Sequence, residues 1–71
     1  DPAPAVRRIR QRLGKFNDDD YLLLIGDPAA IGLACAIAAN NNQGRFNLLK
    51  WDRQEQDYYP LAVDIHQRTE E

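Results

Sequence analysis

The middle of the chain carries a strand and a helix that are too apolar for a small protein to cover by itself. Residues 21–25 read Tyr-Leu-Leu-Leu-Ile, and the segment from Ala29 to Ala39 contains no residue more polar than Cys35. A helix that is apolar all round needs cover on every side. A chain of 71 residues has little core to provide it. The pattern therefore predicts a partner surface, most simply a second copy of the chain.

The length and the cysteine content restrict the class of protein. The chain has room for one small domain. Its single cysteine, Cys35, cannot form an intramolecular disulfide, and its apolar neighbours indicate a buried, inert thiol. We therefore expect a reducing, cytoplasmic setting. Neither apolar run approaches the roughly 20 residues that a membrane-spanning helix needs, so no membrane partner is expected.

The hydrophobic pattern predicts an α/β (α+β) fold in which an N-terminal helix precedes a β-α-β-β unit. An apolar residue recurs every three or four positions from Val6 to Phe16 in an arginine-rich background, which is typical of an amphipathic helix. Asp-Pro-Ala-Pro before it favours extended backbone. The predicted organisation is an extended linker at 1–4, a basic amphipathic helix at 5–16, the β-α-β-β domain at 21–65 and a loose polar tail at 66–71.

The first half of the β-α-β-β unit carries clear start and stop signals. The run from Tyr21 to Ile25 is apolar on both faces, which predicts a central strand. Asp27 is a good N-cap and Pro28 suits the first helical position. We expect the helix to end near Asn40, where residues that tolerate the left-handed conformation follow.

Two further strands, at residues 45–51 and 58–65, are joined by a polar hairpin. Pro60 cannot donate to a ladder, so the last strand is predicted to be an edge. Its predicted inward row is Tyr59, Leu61, Val63 and Ile65. The result is a three-stranded mixed sheet with one helix on a face. The opposite face still lacks cover unless the N-terminal helix or a partner supplies it.

The charge distribution suggests a second kind of partner. Residues 1–16 hold five basic side chains and one acidic one, whereas residues 17–71 hold four basic and ten acidic ones. A basic arm of this kind can bind nucleic acid, or it can fold back on an acidic body. The nucleic-acid hypothesis rests on Arg7, Arg8, Arg10, Arg12 and Lys15.

The sequence contains no recognisable set of catalytic or ligand-binding residues. One glycine followed by Asp27 and Pro28 is a poor phosphate cradle, because it offers too few free N–H groups. His66 and Asp64 are too few to predict a metal site. The acidic triplet at 18–20 reads as a solvated loop, with a cation site as the alternative. We therefore predict no enzyme, no cofactor and no metal.

The remaining distinctive chemistry indicates protein contact. Trp, Tyr and Arg are the residues that most often anchor interfaces, and they cluster around the hairpin. Small and branched residues on one side of the apolar helix provide a second candidate surface. The predicted interface residues are Ala30, Leu33, Ala34, Ile37, Trp51, Arg53 and Tyr58. The alternative is that Trp51 and the tyrosines only close the protein's own core.

Residues Leu22 to Ile65 resemble short uncharacterised proteins encoded by tailed bacteriophages. The resemblance rests on a strand, the Gly-Asp-Pro helix start and the Leu-Leu-Lys-Trp-Asp-Arg-Gln hairpin in this order. It implies a small cytosolic accessory or virion-associated protein and carries over no functional residues. The arginine-rich start lies outside the matching part.

Taken together, these observations favour a small non-enzymatic interaction module that acts as a homo-oligomer. Its expected role is that of a phage-type accessory, inhibitory or virion-associated protein. The expected partners are a second copy of the chain and a host or virion protein. The alternative is a nucleic-acid-binding accessory protein that uses the basic N-terminal helix.

Overall fold

The computed structural model describes residues 3–66, which form two helices and one three-stranded sheet. In chain order the elements are α1 (Ala3–Arg12), β1 (Tyr21–Leu23), α2 (Pro28–Asn41), β2 (Arg45–Asp52) and β3 (Asp57–Asp64). The sheet order is β1-β2-β3, with β1 parallel and β3 antiparallel to β2. The predicted α+β fold with a mixed sheet is confirmed. Within residues 3–66, no helix has the length and hydropathy to cross a membrane.

Helix α1 begins and ends earlier than its sequence pattern predicts. It runs from Ala3 to Arg12 rather than from residue 5 to residue 16. Pro4 is accommodated because the N–H groups of the first turn have no intrahelical partner. Part of the predicted 1–4 linker is thus helical. Residues 1 and 2, and 67–71 of the predicted tail, lie outside the described residues.

The end of α1 tightens into turns instead of continuing as a helix. The N–H of Gly14 bonds to the Gln11 carbonyl at 3.4 Å, and that of Phe16 to the Leu13 carbonyl at 3.1 Å. These are the shorter i to i−3 bonds of tight turns. They bring Phe16 into the core, where 8% of it is exposed. The last member of the apolar stripe is therefore buried without lying on the helix.

Strand β1 is an edge strand, so the prediction of a central position is wrong. It pairs with β2 alone and spans three residues. The Leu24 N–H still bonds to the Leu49 carbonyl at 3.2 Å, but the Ile25 N–H turns back to the Leu23 carbonyl at 3.0 Å. The central position belongs to β2, because the crossover places β1 on one side of it and the hairpin places β3 on the other.

Helix α2 has the predicted start and a tightly specified end. The Asp27 carboxylate accepts the Ala30 N–H at 3.0 Å, and Pro28 occupies the first turn. At the other end the Gly44 N–H bonds to the Ala39 carbonyl at 2.7 Å. Gly44 has a φ of +84°, which glycine adopts without steric cost. This turn directs the chain from α2 straight into β2.

Pro60 sits in β3 without disturbing the ladder, which confirms the predicted edge strand. The Ile65 N–H bonds to the Gly44 carbonyl at 3.0 Å, and bonded pairs alternate with unbonded ones in an antiparallel ladder. Counting along the register from the bonded pair of Gly44 and Ile65, Leu49 and Pro60 form a pair that exchanges no backbone hydrogen bonds. The ring nitrogen of Pro60 therefore faces away from β2, where a missing N–H costs the ladder nothing.

The sheet has one face toward α2 and one open face. Leu22, Leu24, Phe46 and Leu48 on the helix face are all half-buried. Helix α2 packs mainly against β2, and the side chains of β3 on this face are less covered. The predicted inward row of β3 shares this face, but Tyr59 and Leu61 remain 36% and 41% exposed, and Ile65 61%. The side chains of this row therefore point toward the helix face as predicted. The prediction that they are buried is wrong for Tyr59, Leu61 and Ile65.

We predict opposite effects for alanine at two glycines. Gly44→Ala forces a side chain into a positive φ, which costs about 1–2 kcal/mol, and its Cβ would lie 2.8 Å from Ile65 Cγ1. Gly32→Ala adds a Cβ on α2 with nothing within 4 Å and should stabilise by roughly 0.5–1 kcal/mol. Thermal unfolding followed by circular dichroism measures both. Equal midpoints for the two variants would contradict the assigned turn.

Candidate protein-interaction surface

The face of the sheet that points away from α2 is apolar and uncovered. We call it the open face, and its residues alternate with those of the helix face along each strand. Four of its large side chains are exposed by 40–55%, with Tyr21 at 55% and Trp51 at 49%. Its apolar residues are Tyr21, Leu23, Leu49, Trp51, Tyr58, Pro60 and Ala62. Asn47 lies between Tyr21 and Ala62 on the same face, and Arg45 and Asp64 are opposite each other at its end.

An aromatic pair occupies the hairpin end of the open face. Trp51 and Tyr58 lie directly opposite each other in the ladder, with ring centroids 5.0 Å apart and planes at 70°. This edge-to-face arrangement is favourable for aromatic rings. The hairpin beyond the pair is held by the Asp52 carboxylate, which accepts the Gln54 N–H at 2.9 Å. The pair is therefore presented on an ordered turn.

The other end of the open face is closed by the loop that follows α1. Asp18 in this loop forms an ion pair with Arg45, at 3.1 Å between Oδ1 and Nε. Its carboxylate also accepts the Asn42 side-chain amide at 2.8 Å. The Asn47 amide donates to the Asp18 carbonyl at 2.8 Å. Hydrogen bonds from Arg45 and Asn42 lower the pKa of Asp18 below its ordinary value of 3.8.

The residues predicted as an interface do not form one surface. Trp51 and Tyr58 are in contact, and Arg53 lies in the adjoining turn with its side chain exposed. On α2, Ala30 is exposed and Leu33 and Ala34 are half-buried. Ile37 is 8% exposed and belongs to the protein's own core. The structure thus separates the hairpin residues from the helix residues.

Sequence reasoning left five residues of the open face out of the predicted interface, namely Tyr21, Leu23, Leu49, Pro60 and Ala62. The signal for the first two was the apolar run of residues 21–25, in which alternate side chains point to opposite faces. The sequence alone does not show which alternate set α2 covers. The register, which pairs Leu23 with Leu49, identifies the uncovered set.

The chain covers little of its own apolar surface. In the described part of the chain, eight large apolar side chains are exposed, from Tyr59 at 36% to Ile25 at 64%. Within residues 3–66, the buried apolar side chains are Phe16, Ile37, Ala38 and Ala39.

Helix α1 presents a basic face to solvent. Its apolar side chains Val6 and Ile9 and the following Leu13 are half-buried, and α1 packs against α2. On its other sides lie four exposed arginines, and Lys15 is exposed in the turn that follows the helix. The full set is Arg7, Arg8, Arg10, Arg12 and Lys15. Between residues 3 and 66, the ion pair present joins Arg45 to Asp18 instead.

The side chains with catalytic or ligand chemistry are scattered. Cys35 is half-buried on α2, and burial raises the pKa of its thiol, which disfavours the reactive thiolate. His66 lines an open groove of about 560 Å³ together with Cys35, Phe46 and Ile65. In the part of the chain that the structure describes, no three metal-binding side chains lie together.

Comparison with known protein families gives one match. A family model described as Phage Pam3 gp32-like protein matches residues 1–65. The match includes the basic helix α1, which the resemblance drawn from the sequence left out. The comparisons with curated proteins and with solved structures found no match.

We predict that Asp18 contributes to the acid sensitivity of the fold. A lowered folded-state pKa means that the stabilising contribution is present above pH 3.8 and is lost as pH falls through the lowered value. The side chains of the pair are 62% and 42% exposed, so the effect is small. Asp18→Asn should flatten the loss of stability below pH 4, as measured by urea unfolding at several pH values. Asp19→Asn is the control, because Asp19 has no arginine beside it. This variant should lose stability with falling pH as the wild type does.

Proposed function

Because the chain belongs to the Phage Pam3 gp32-like protein family, we propose that it is a small non-enzymatic phage protein that acts by binding other proteins. In this proposal it works in the host cytosol as an accessory, inhibitory or virion-associated protein. It binds a second copy of itself and, as an assembly, a host or virion protein. The observation that carries the proposal is the open face with its exposed aromatic pair.

The composition of the open face supports protein contact. Trp and Tyr are enriched among the residues that dominate binding energy, because they supply a large contact area with few rotatable bonds. Trp51 and Tyr58 are held in a defined edge-to-face pair, so little conformational entropy is lost when a partner covers them. A sheet face of this kind is normally packed against a second layer.

The unfinished core supports self-association. Within residues 3–66, four apolar side chains are buried, whereas eight large apolar side chains are exposed. Small chains that cannot close a core commonly gain stability from oligomerisation. A second copy of the chain is available as a partner wherever the chain is made.

We predict that the purified full chain forms a homo-oligomer that persists at moderate salt. Light scattering coupled to size-exclusion chromatography should give a multiple of 8.1 kDa at both 0.1 and 0.5 M NaCl, because apolar contact is weakly sensitive to ionic strength. The role of the aromatic pair in self-association is tested separately by Tyr58→Ser, which should weaken the oligomer. Its control is Tyr59→Ser, since Tyr59 is similarly exposed but lies on the helix face. A strict monomer at both salt concentrations, or an oligomer that Tyr58→Ser leaves unchanged, would refute the proposal.

A second candidate function rests on the basic face of α1. Arginine on an exposed helix neutralises nucleic-acid phosphates, and such binding falls steeply with salt. In the protein-binding proposal these side chains are not needed. The two functions therefore predict different salt responses and different sensitive residues.

We predict that, if this second function operates, duplex DNA binding follows the basic side chains. Fluorescence anisotropy should give a log–log salt slope of about −4.5 for five phosphate contacts. Replacing Arg7, Arg8, Arg10, Arg12 and Lys15 by Gln should remove the binding, since Gln keeps helix propensity. The oligomer mass of this variant should equal that of the wild type. Binding that survives the substitutions would exclude α1 as the nucleic-acid site.

A further inference from the structure

We infer that two copies of this chain associate by packing open face against open face. The result is a two-layer sandwich of six strands, with α2 of each copy on the outside. The inference rests on the self-association proposed above and specifies its surface and its symmetry. Four features of the structure favour this arrangement over pairing at strand edges or through α2.

The edges of the sheet are poorly suited to strand addition. On the outer side of β3, Pro60 has no N–H to offer, and the Tyr58 N–H is already bonded to the Asp57 carboxylate at 2.8 Å. On the outer side of β1, which spans only three residues, the Leu23 carbonyl accepts the Ile25 N–H at 3.0 Å. Proline, short strands and satisfied edge groups are the usual means of preventing edge pairing.

The open face can contact a copy of itself without a polar penalty. A two-fold contact places the same patch on both sides, so any charge within it would approach its own copy. Seven residues of the open face are apolar, and its two charged residues, Arg45 and Asp64, lie opposite each other at one end. Arg45 forms an ion pair with Asp18, the Asp64 carboxylate accepts the His66 N–H at 2.9 Å, and the Asn47 amide donates to the Asp18 carbonyl. Burial of the patch therefore leaves these groups partnered.

The apolar area of the open face matches the need of a dimer. If each full side chain presents roughly 200 Å², the exposed fractions of Tyr21, Leu23, Trp51 and Tyr58 leave on the order of 400 Å². Two copies then bury about 800 Å² from these side chains alone, and Leu49, Pro60 and Ala62 raise the total toward the 1,000 Å² that a specific interface needs.

The exposed side of α2 is a weaker candidate. It presents Ala29, Gly32 and Ala36, which have small side chains and little area to bury. The aromatic residues of the open face supply far more contact area per residue. In an open-face dimer the two sheets lie about 10 Å apart, and the α2 helices are held apart by both sheets.

Two leucines of similar exposure on opposite faces provide the test. Leu23 on the open face is 48% exposed and Leu61 on the helix face is 41% exposed. Leu23→Asp should convert the dimer to a monomer in sedimentation equilibrium, with a loss of affinity of at least about a hundredfold. Leu61→Asp should keep the wild-type mass. Far-UV circular dichroism shows whether each variant is folded, and Tyr21→Lys replaces Leu23→Asp if the latter is unfolded.

Two further measurements fix the geometry. Trp51 is the single tryptophan of the chain, so its emission should shift to the blue over the concentrations at which the mass doubles. In a Cys35→Ala background, Ala36→Cys should form no intermolecular disulfide under oxidation. A dimer that survives Leu23→Asp but not Leu61→Asp, or that links readily through residue 36, overturns the inference while self-association stands. A wild-type monomer at all concentrations overturns both.

Discussion

The turn that joins α2 to β2 holds the rest of the structure in place. Gly44 receives three constraints at once: its N–H bonds to the Ala39 carbonyl, its carbonyl accepts the Ile65 N–H, and its α-carbon faces the side chains of Ile65 and His66. Asn42 adds bonds to Asp18 and to the Arg45 carbonyl. One turn thus connects the helix, the central strand, the end of β3 and the loop after α1.

This junction determines which surfaces are buried. It positions the C-terminal half of α2 over β2, so Ile37, Ala38 and Ala39 become the best-covered residues of the helix. The same placement leaves most of β3 less covered and the other face of the sheet without a helix above it. One helix of 14 residues cannot cover both faces of a three-stranded sheet. The open face is therefore a consequence of the element count, and association is the simplest way to cover it.

Local signals in the sequence predicted most of the fold. The Asp27 cap, the Pro28 start and the Pro60 edge depend on the chemistry of single residues and their neighbours, and each is found in the structure. The central position predicted for β1 is wrong because a run that is apolar on both faces has two causes. In the first, both faces of the strand are covered by other elements. In the second, one face is covered and the other remains open to solvent. Periodicity alone does not distinguish them.

The candidate site was harder to predict because it depends on contacts between distant parts of the chain. Asp18 and Arg45 are 27 positions apart, and nothing near either residue indicates that they meet. Ile37 lies on the same apolar helix as Ala30, and its burial follows from where the Gly44 turn places the sheet. Trp51 and Tyr58 were predictable as neighbours, because a hairpin brings its flanking residues together.

The two candidate functions use surfaces that do not compete. The apolar stripe of α1 packs on α2, so its basic face points away from the sheet, and α2 lies on the side opposite the open face. A dimer formed through the open faces would therefore leave the basic helix of each copy exposed. Two basic helices on one particle can engage one polyanion together, and the second contact is then intramolecular and strengthened by its effective concentration. Self-association would thus increase any affinity that α1 has for an acidic partner.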